Sequence, residues 1–170
     1  TEIYYLLRMG AKLMDVRKKS QIQEKRVANE LGGKVTPASG ALWGAKGDVK
    51  SDLFLIECKV TEKPAYPLTL KTWTKISKEA LKENFRLPVM SVDLCNGKDK
   101  MAVVAYYDLA ESKLSKKIYQ QLESLYVDKK QFMIHNQPMI VEWALSGDKL
   151  AVLKWSDFLE CVEEINNEQR

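Results

Sequence analysis

Histidine is nearly absent from this chain: His135 is the only one among 170 residues. With no second histidine and no acid pair near it in sequence, it reads as a structural residue. Cysteine is scarce too. Cys58, Cys95 and Cys161 are odd in number, scattered, and lack the spacing of a zinc site. Free thiols in a reducing cytoplasm follow. No apolar run approaches the roughly 20 residues needed to span a bilayer. There is no signal-peptide pattern, and a start at Thr1 rather than Met leaves room for residues before it. Neither an internal repeat nor a low-complexity segment is present.

What is present is the composition of a globular domain. Hydrophobic residues make up 45% and charged residues 29%, values that suit a soluble core-forming chain. The length predicts a single domain over residues 1–170. Its core is expected at about 9–107, followed by a helix and strand extension at about 108–170. The net charge of +4 is unevenly spread: residues 1–110 carry 19 Lys and Arg against 13 Asp and Glu, whereas residues 111–170 carry 8 against 10. The basic excess in the first part suits a polyanionic partner.

Along the chain, residues 1–7 are short and apolar, a helix start or an arm that packs on another subunit. Residues 9–31 predict a helix, in one piece or two, closed by Gly32-Gly33. Arg17, Lys18, Lys19, Lys25 and Arg26 make it basic, either as a solvated face or as DNA contacts. Residues 34–36 predict a short strand. Residues 37–47 form a glycine-punctuated loop, in which Ser39 and Lys46 are candidate phosphate contacts and Trp43 is either a stacking ring or a lid on the core. A loop with Pro64 and Pro67 precedes a helix over 68–85, whose buried stripe is Trp73, Ile76 and Ala80. Lys71, Lys75, Lys78 and Lys82 form a second stripe on it. With Glu79 and Glu83 nearby, the stripe reads equally as a salt-laced solvent face or as a phosphate-tracking ridge, Lys75 being nearest the site. A hairpin follows over 88–107, then a helix from Asp108 to about Tyr126 and short strands over 130–154. A last helix over 157–165 is capped by Ser156, with a frayed tail.

The centre of the chain is residues 46–59. Asp48, an apolar run Leu53-Phe54-Leu55-Ile56 and then Glu57-Cys58-Lys59 surround a polar turn at 50–52, the pattern of a hairpin with a buried second strand. Alternation across a strand puts Glu57 and Lys59 on one face and Cys58 on the other. An acid and an ammonium at the end of a buried strand are costly unless they pair or bind a metal. Glu24 shares a helix face with Ala28 and Leu31, and the downstream acids make it a candidate partner of theirs. Asp52 competes with Asp48 as the second acid, but it sits where the hairpin turns.

This ordered set resembles the core of the PD-(D/E)XK nuclease superfamily, with Gly47-Asp48 and Glu57-Cys58-Lys59 as its two motif halves. Gln23-Glu24-Lys25-Arg26, Leu31-Gly32-Gly33, Pro37 to Ala41, Lys46-Gly47-Asp48 and Phe54 to Lys59 are similar to phage and archaeal Holliday junction resolvase-like endonucleases, over roughly residues 17–94. The resemblance implies an α/β fold with a restriction-endonuclease-like core, a mixed central sheet flanked by helices. It implies a Mg²⁺-dependent DNA endonuclease, Mn²⁺ substituting, acting on four-way or branched DNA in recombination, as a homodimer. Glu24, Asp48, Glu57 and Lys59 become its catalytic set. Asp48, Glu57 and the backbone carbonyl of Cys58 become its metal ligands, Cys58 replacing the family's usual valine. Lys59 holds or deprotonates water or neutralises charge, and DNA contacts fall at Ser39, Lys46, Lys75, Arg17, Lys18 and Lys19. The alternatives are a nuclease on linear duplex and a non-catalytic nucleic-acid-binding protein of the same fold.

Overall fold

The computed structural model describes residues 2–37 and 47–170. The chain opens with one helix, α1 (Glu2–Leu31), which runs unbroken through Gly10 and begins earlier than the sequence predicts. Gly32 ends it in the left-handed region at φ 61°, a conformation that costs a residue with a Cβ about 1 kcal/mol or more. The Gly33 N–H donates to the Ala28 carbonyl at 2.8 Å and the Gly32 N–H to that of Asn29 at 3.4 Å, so two orphan carbonyls of the last turn are satisfied.

The expected hairpin follows. Strands β1 (Lys34–Val35), β2 (Val49–Lys50) and β3 (Phe54–Val60) pair antiparallel in that order. Ser51 closes the turn: its hydroxyl accepts from the Phe54 N–H at 3.0 Å, which leaves Asp52 exposed at the tip. Beyond them, β5 (Leu87–Leu94) runs parallel to β3, and β6 (Asp99–Ala105) returns antiparallel to β5. The sheet is completed by β10 (Asp148–Lys154), β9 (Met139–Trp143) and β7 (Ser124–Val127). Its order is β1-β2-β3-β5-β6-β10-β9-β7, a mixed sheet of eight strands to which residues beyond 108 contribute three.

Two apolar layers cover the sheet. On one face α1, α3 (Lys113–Tyr119) and α4 (Trp155–Glu168) pack on Phe54, Ile56, Val89, Val104 and Leu153. On the other, α2 (Leu70–Lys82) sets Trp73 against Met90, Val92 and Val103. A two-stranded sheet of β4 (Ala65–Thr69) and β8 (Gln131–His135) adds Leu68, Phe132 and Ile134. The architecture is α/β, a mixed central sheet with helices on both faces, as expected. Among the described residues no helix is long and apolar enough to cross a membrane.

Four local expectations are corrected. Within the loop expected at 61–67, β4 begins at Ala65, and Pro67 is tolerated there because, among the described residues, the strand pairs only with β8. Thr69 caps α2, its hydroxyl accepting from the Thr72 N–H at 3.1 Å, so the helix starts two residues later than expected and ends at Lys82. The long helix predicted over 108–126 is instead a 3₁₀ turn at Tyr106–Leu109, the short α3 capped by Ser112, and β7. There, parallel pairing of β7 with β9 overrides a helix-compatible composition. The last helix begins at Trp155, before Ser156, and runs to Glu168.

Candidate functional site

The site grows from a mismatch between two strands. β2 covers β3 only as far as Ile56, which pairs with Val49. Beyond it, Asp48 replaces a strand: its N–H donates to the Ile56 carbonyl at 2.9 Å, and its Oδ2 accepts from the Cys58 N–H at 2.8 Å. One carboxylate is thereby fixed against the backbone of the very residues that carry Glu57, Cys58 and Lys59. Gly47 permits this with φ 64°, and a Cβ there would lie 2.6 Å from Leu55 Cδ1 in the buried core.

Glu57 and Lys59 project together toward α2, with Lys59 Nζ 3.0 Å from Glu57 Oε1. The Glu57 side chain is 18% exposed and that of Lys59 37%. Cys58 is buried on the opposite face among the residues under α1, and burial together with nearby acids pushes its thiol well above the ordinary range. Burial first, then Asp48, raises the pKa of Glu57 against the opposing pull of Lys59 and Lys75. Burial works against the Lys59 ammonium, yet the Glu57 carboxylate, helped by Tyr66 and Asp48, holds its pKa above the usual lysine value.

Glu24 arrives from α1. Burial, then Asp48, then Glu57 raise its pKa, so the three acids are near enough to repel one another. Its position follows from Gln23, whose side-chain N–H group donates to the carbonyls of Lys59 and Ser91, both at 3.1 Å, and lies 3.3 Å from the Ser91 hydroxyl. One turn on, Arg26 meets Asp93 of β5 at 2.8 Å and Glu30 at 2.9 Å, and Glu30 accepts from the Trp155 indole at 2.6 Å. α1 is thus fastened to β3, β5 and α4 on both sides of Glu24.

Of the other candidates, Arg17 lines an open groove of about 500 Å³ with Glu24, Lys25 and Thr36. Lys18 is exposed on α1, while Lys19 is held by Asp15 at 2.8 Å and Asn96 at 3.2 Å. Lys75 is exposed on α2, 3.9 Å from Glu79, and its charge acts on Glu57. Ser39, Trp43 and Lys46 lie outside the described residues. His135 is exposed on β8. Two residues were given no role by sequence reasoning. Gln23 stands in the matched stretch with Glu24, but its anchoring part is signalled only by its position four before the buried Val27. Tyr66 of β4, its pKa raised by burial beside Lys59 and Glu57, is hidden by the prolines that mask its strand.

Among the described residues no group of three His, Cys, Asp and Glu side chains is disposed to hold a metal ion. The donors at hand are two carboxylates, Asp48 and Glu57, beside the Cys58 backbone. Such hard oxygen donors suit Mg²⁺, which binds through one or two carboxylates and keeps several waters. In comparisons with known proteins the chain matches no protein-family model and no curated protein.

Proposed function

We propose that this chain is a metal-dependent endonuclease of the PD-(D/E)XK type that hydrolyses phosphodiester bonds in DNA, with branched and four-way junctions as its substrates. The observation that carries the reading is the meeting of Glu24, Asp48, Glu57 and Lys59 beside the second half of β3, from α1, the bend before β2, and β3 itself. Asp48, Glu57 and the Cys58 carbonyl would hold Mg²⁺, which supplies Lewis acidity toward the phosphate.

The side chains divide the remaining work by their protonation. Lys59, its pKa raised, is an ammonium at neutral pH. It therefore neutralises charge developing on the phosphate and can donate a proton to the departing alkoxide, and it is unsuited to take one from water. Glu24, held beside Asp48 and Glu57, accepts the proton of the attacking water. The water oxygen bonds to phosphorus as the P–O ester bond breaks. Glu57 aims Lys59 through their 3.0 Å pair, and Arg17 and Lys25 offer phosphate contacts beside Glu24. Cleavage of paired strands calls for a homodimer, and the exposed apolar start of α1 supports self-association.

The test is incubation of the protein with a four-way junction and with a matched linear duplex, each with Mg²⁺, with Mn²⁺ and without metal. Metal-dependent cuts in the junction are expected, with the duplex cut more slowly. Equal cutting of both would overturn the junction preference, and no cutting of either would overturn the nuclease.

A further inference from the structure

The lysine stripe on α2 is compatible in sequence with a face neutralised by Glu79 and Glu83. In the fold Glu83 turns away, its carboxylate 2.9 Å from Lys50 Nζ and 4.0 Å from Arg86. Lys130, just ahead of β8, takes the other side. Lys71, Lys75, Lys78, Lys82 and Lys130 then line one open groove of about 990 Å³, with Glu79 as the single acid among its lining residues. One carboxylate offsets one of five ammonium groups, so the groove is strongly cationic. Lys75, the second of the four helix lysines, stands 3.9 Å from Glu79, and its charge also acts on Glu57 of the candidate site.

The dimensions and chemistry point to one kind of polyanion. At 1.5 Å per residue, Lys71 to Lys82 spread over about 16 Å of helix axis, roughly five steps of one DNA strand at 3.4 Å each. No aromatic side chain is among the described residues lining the groove. Bases of a single strand therefore find nothing to stack on. Lysine is a compact point charge on a flexible stem and meets phosphate without a fixed geometry. We infer that this groove is a second DNA contact, which holds the phosphate backbone of a duplex arm without reading its sequence. That the polyanion is DNA rests on the proposed nuclease function.

The test compares two fourfold variants. One replaces Lys71, Lys78, Lys82 and Lys130 with Ala and leaves Lys75 in place. The other replaces Lys113, Lys116, Lys117 and Lys154 with Ala, removing equal charge elsewhere. All eight lysines are exposed, and melting curves check that both variants fold. Binding of a labelled 30-base-pair duplex and of one of its strands is read by anisotropy, without divalent metal, across a salt series. The groove variant is expected to bind duplex at least tenfold more weakly at low salt. Its plot of log affinity against log salt should be shallower by about 3.6, at close to 0.9 for each of four phosphate contacts. The other variant should stay near wild type. Equal losses in both variants, an unchanged slope, or a greater loss for single strand than for duplex would overturn the inference. Should the groove variant melt early, Lys130→Glu alone must still weaken duplex binding several-fold. Groove-dependent duplex binding without any metal-dependent cleavage would sink the nuclease and leave the groove standing. Cleavage with binding indifferent to the groove would do the reverse.

Discussion

At Glu57 and Lys59 the same two side chains admit a catalytic and a purely structural reading, and single substitutions separate them. Glu57→Gln and Lys59→Ala are each expected to lower Mg²⁺-dependent cleavage by about 10²-fold or more, with the double variant far from additive. Duplex binding should survive, because phosphate contacts elsewhere carry most of the affinity. A structural ion pair would instead lower thermal stability and leave cleavage near wild type. Asp108 offers a stability test away from the site. Burial raises its pKa from 3.8 to about 6. The folded state therefore holds this proton more tightly than the unfolded chain, and stability falls as pH rises across that interval. Asp108→Asn should raise stability at pH 7 by roughly 1 to 2 kcal/mol, 1.36 kcal/mol per pKa unit discounted for the solvent that still reaches the carboxyl. The decline between pH 4 and 6 should shrink with it in urea unfolding at several pH values.

The placement of the acids depends on how whole elements are docked. β2 is two residues long, and its shortness leaves the far half of β3 to be capped by the Asp48 carboxylate. Gly47→Ala would force a Cβ into Leu55 and strain the positive φ, shifting Asp48. A loss of about 1 to 3 kcal/mol and a disproportionate fall in metal-dependent cleavage are expected from unfolding and cleavage measured together. Gln23 plays the corresponding part for α1. Gln23→Ala removes the bonds from the helix to Lys59 and Ser91. It should cost about 1 to 3 kcal/mol in unfolding, the penalty for stranding buried polar groups, and should depress cleavage through the displaced Glu24. Cleavage unaffected by either change would mean that neither element positions the acids.

Taken together, the molecule is built on one eight-stranded sheet with two unlike faces, and α1 projects beyond it. Ile3, Tyr4, Tyr5, Leu6 and Leu7 are each at least 65% exposed at its start. A helix apolar on all sides belongs in an interface. If self-association runs through this end, Leu6→Glu with Leu7→Glu should shift sedimentation from dimer to monomer while the melting temperature holds. An unchanged sedimentation profile would remove α1 from the interface.

Legibility differed along the chain for physical reasons. The hairpin of Asp48 and Glu57, the α1 terminus at Gly32 and the α2 stripe of Trp73, Ile76 and Ala80 were readable, because alternation, helical spacing and a glycine cap are local properties. The helix expected over 108–126 and the loop expected at 61–67 were misread, because β7 and β4 owe their strand state to β9 and β8 far along the chain. The sequence by itself determined which residues carry charge and which face of each element is apolar, since both follow from residue type and period. Only the tertiary structure decided that Gln23 anchors Glu24, that Tyr66 stands beside Lys59, and that Glu83 leaves the lysine stripe for Lys50 and Arg86. Those are choices among partners distant in the chain, and packing, not local preference, selects among them.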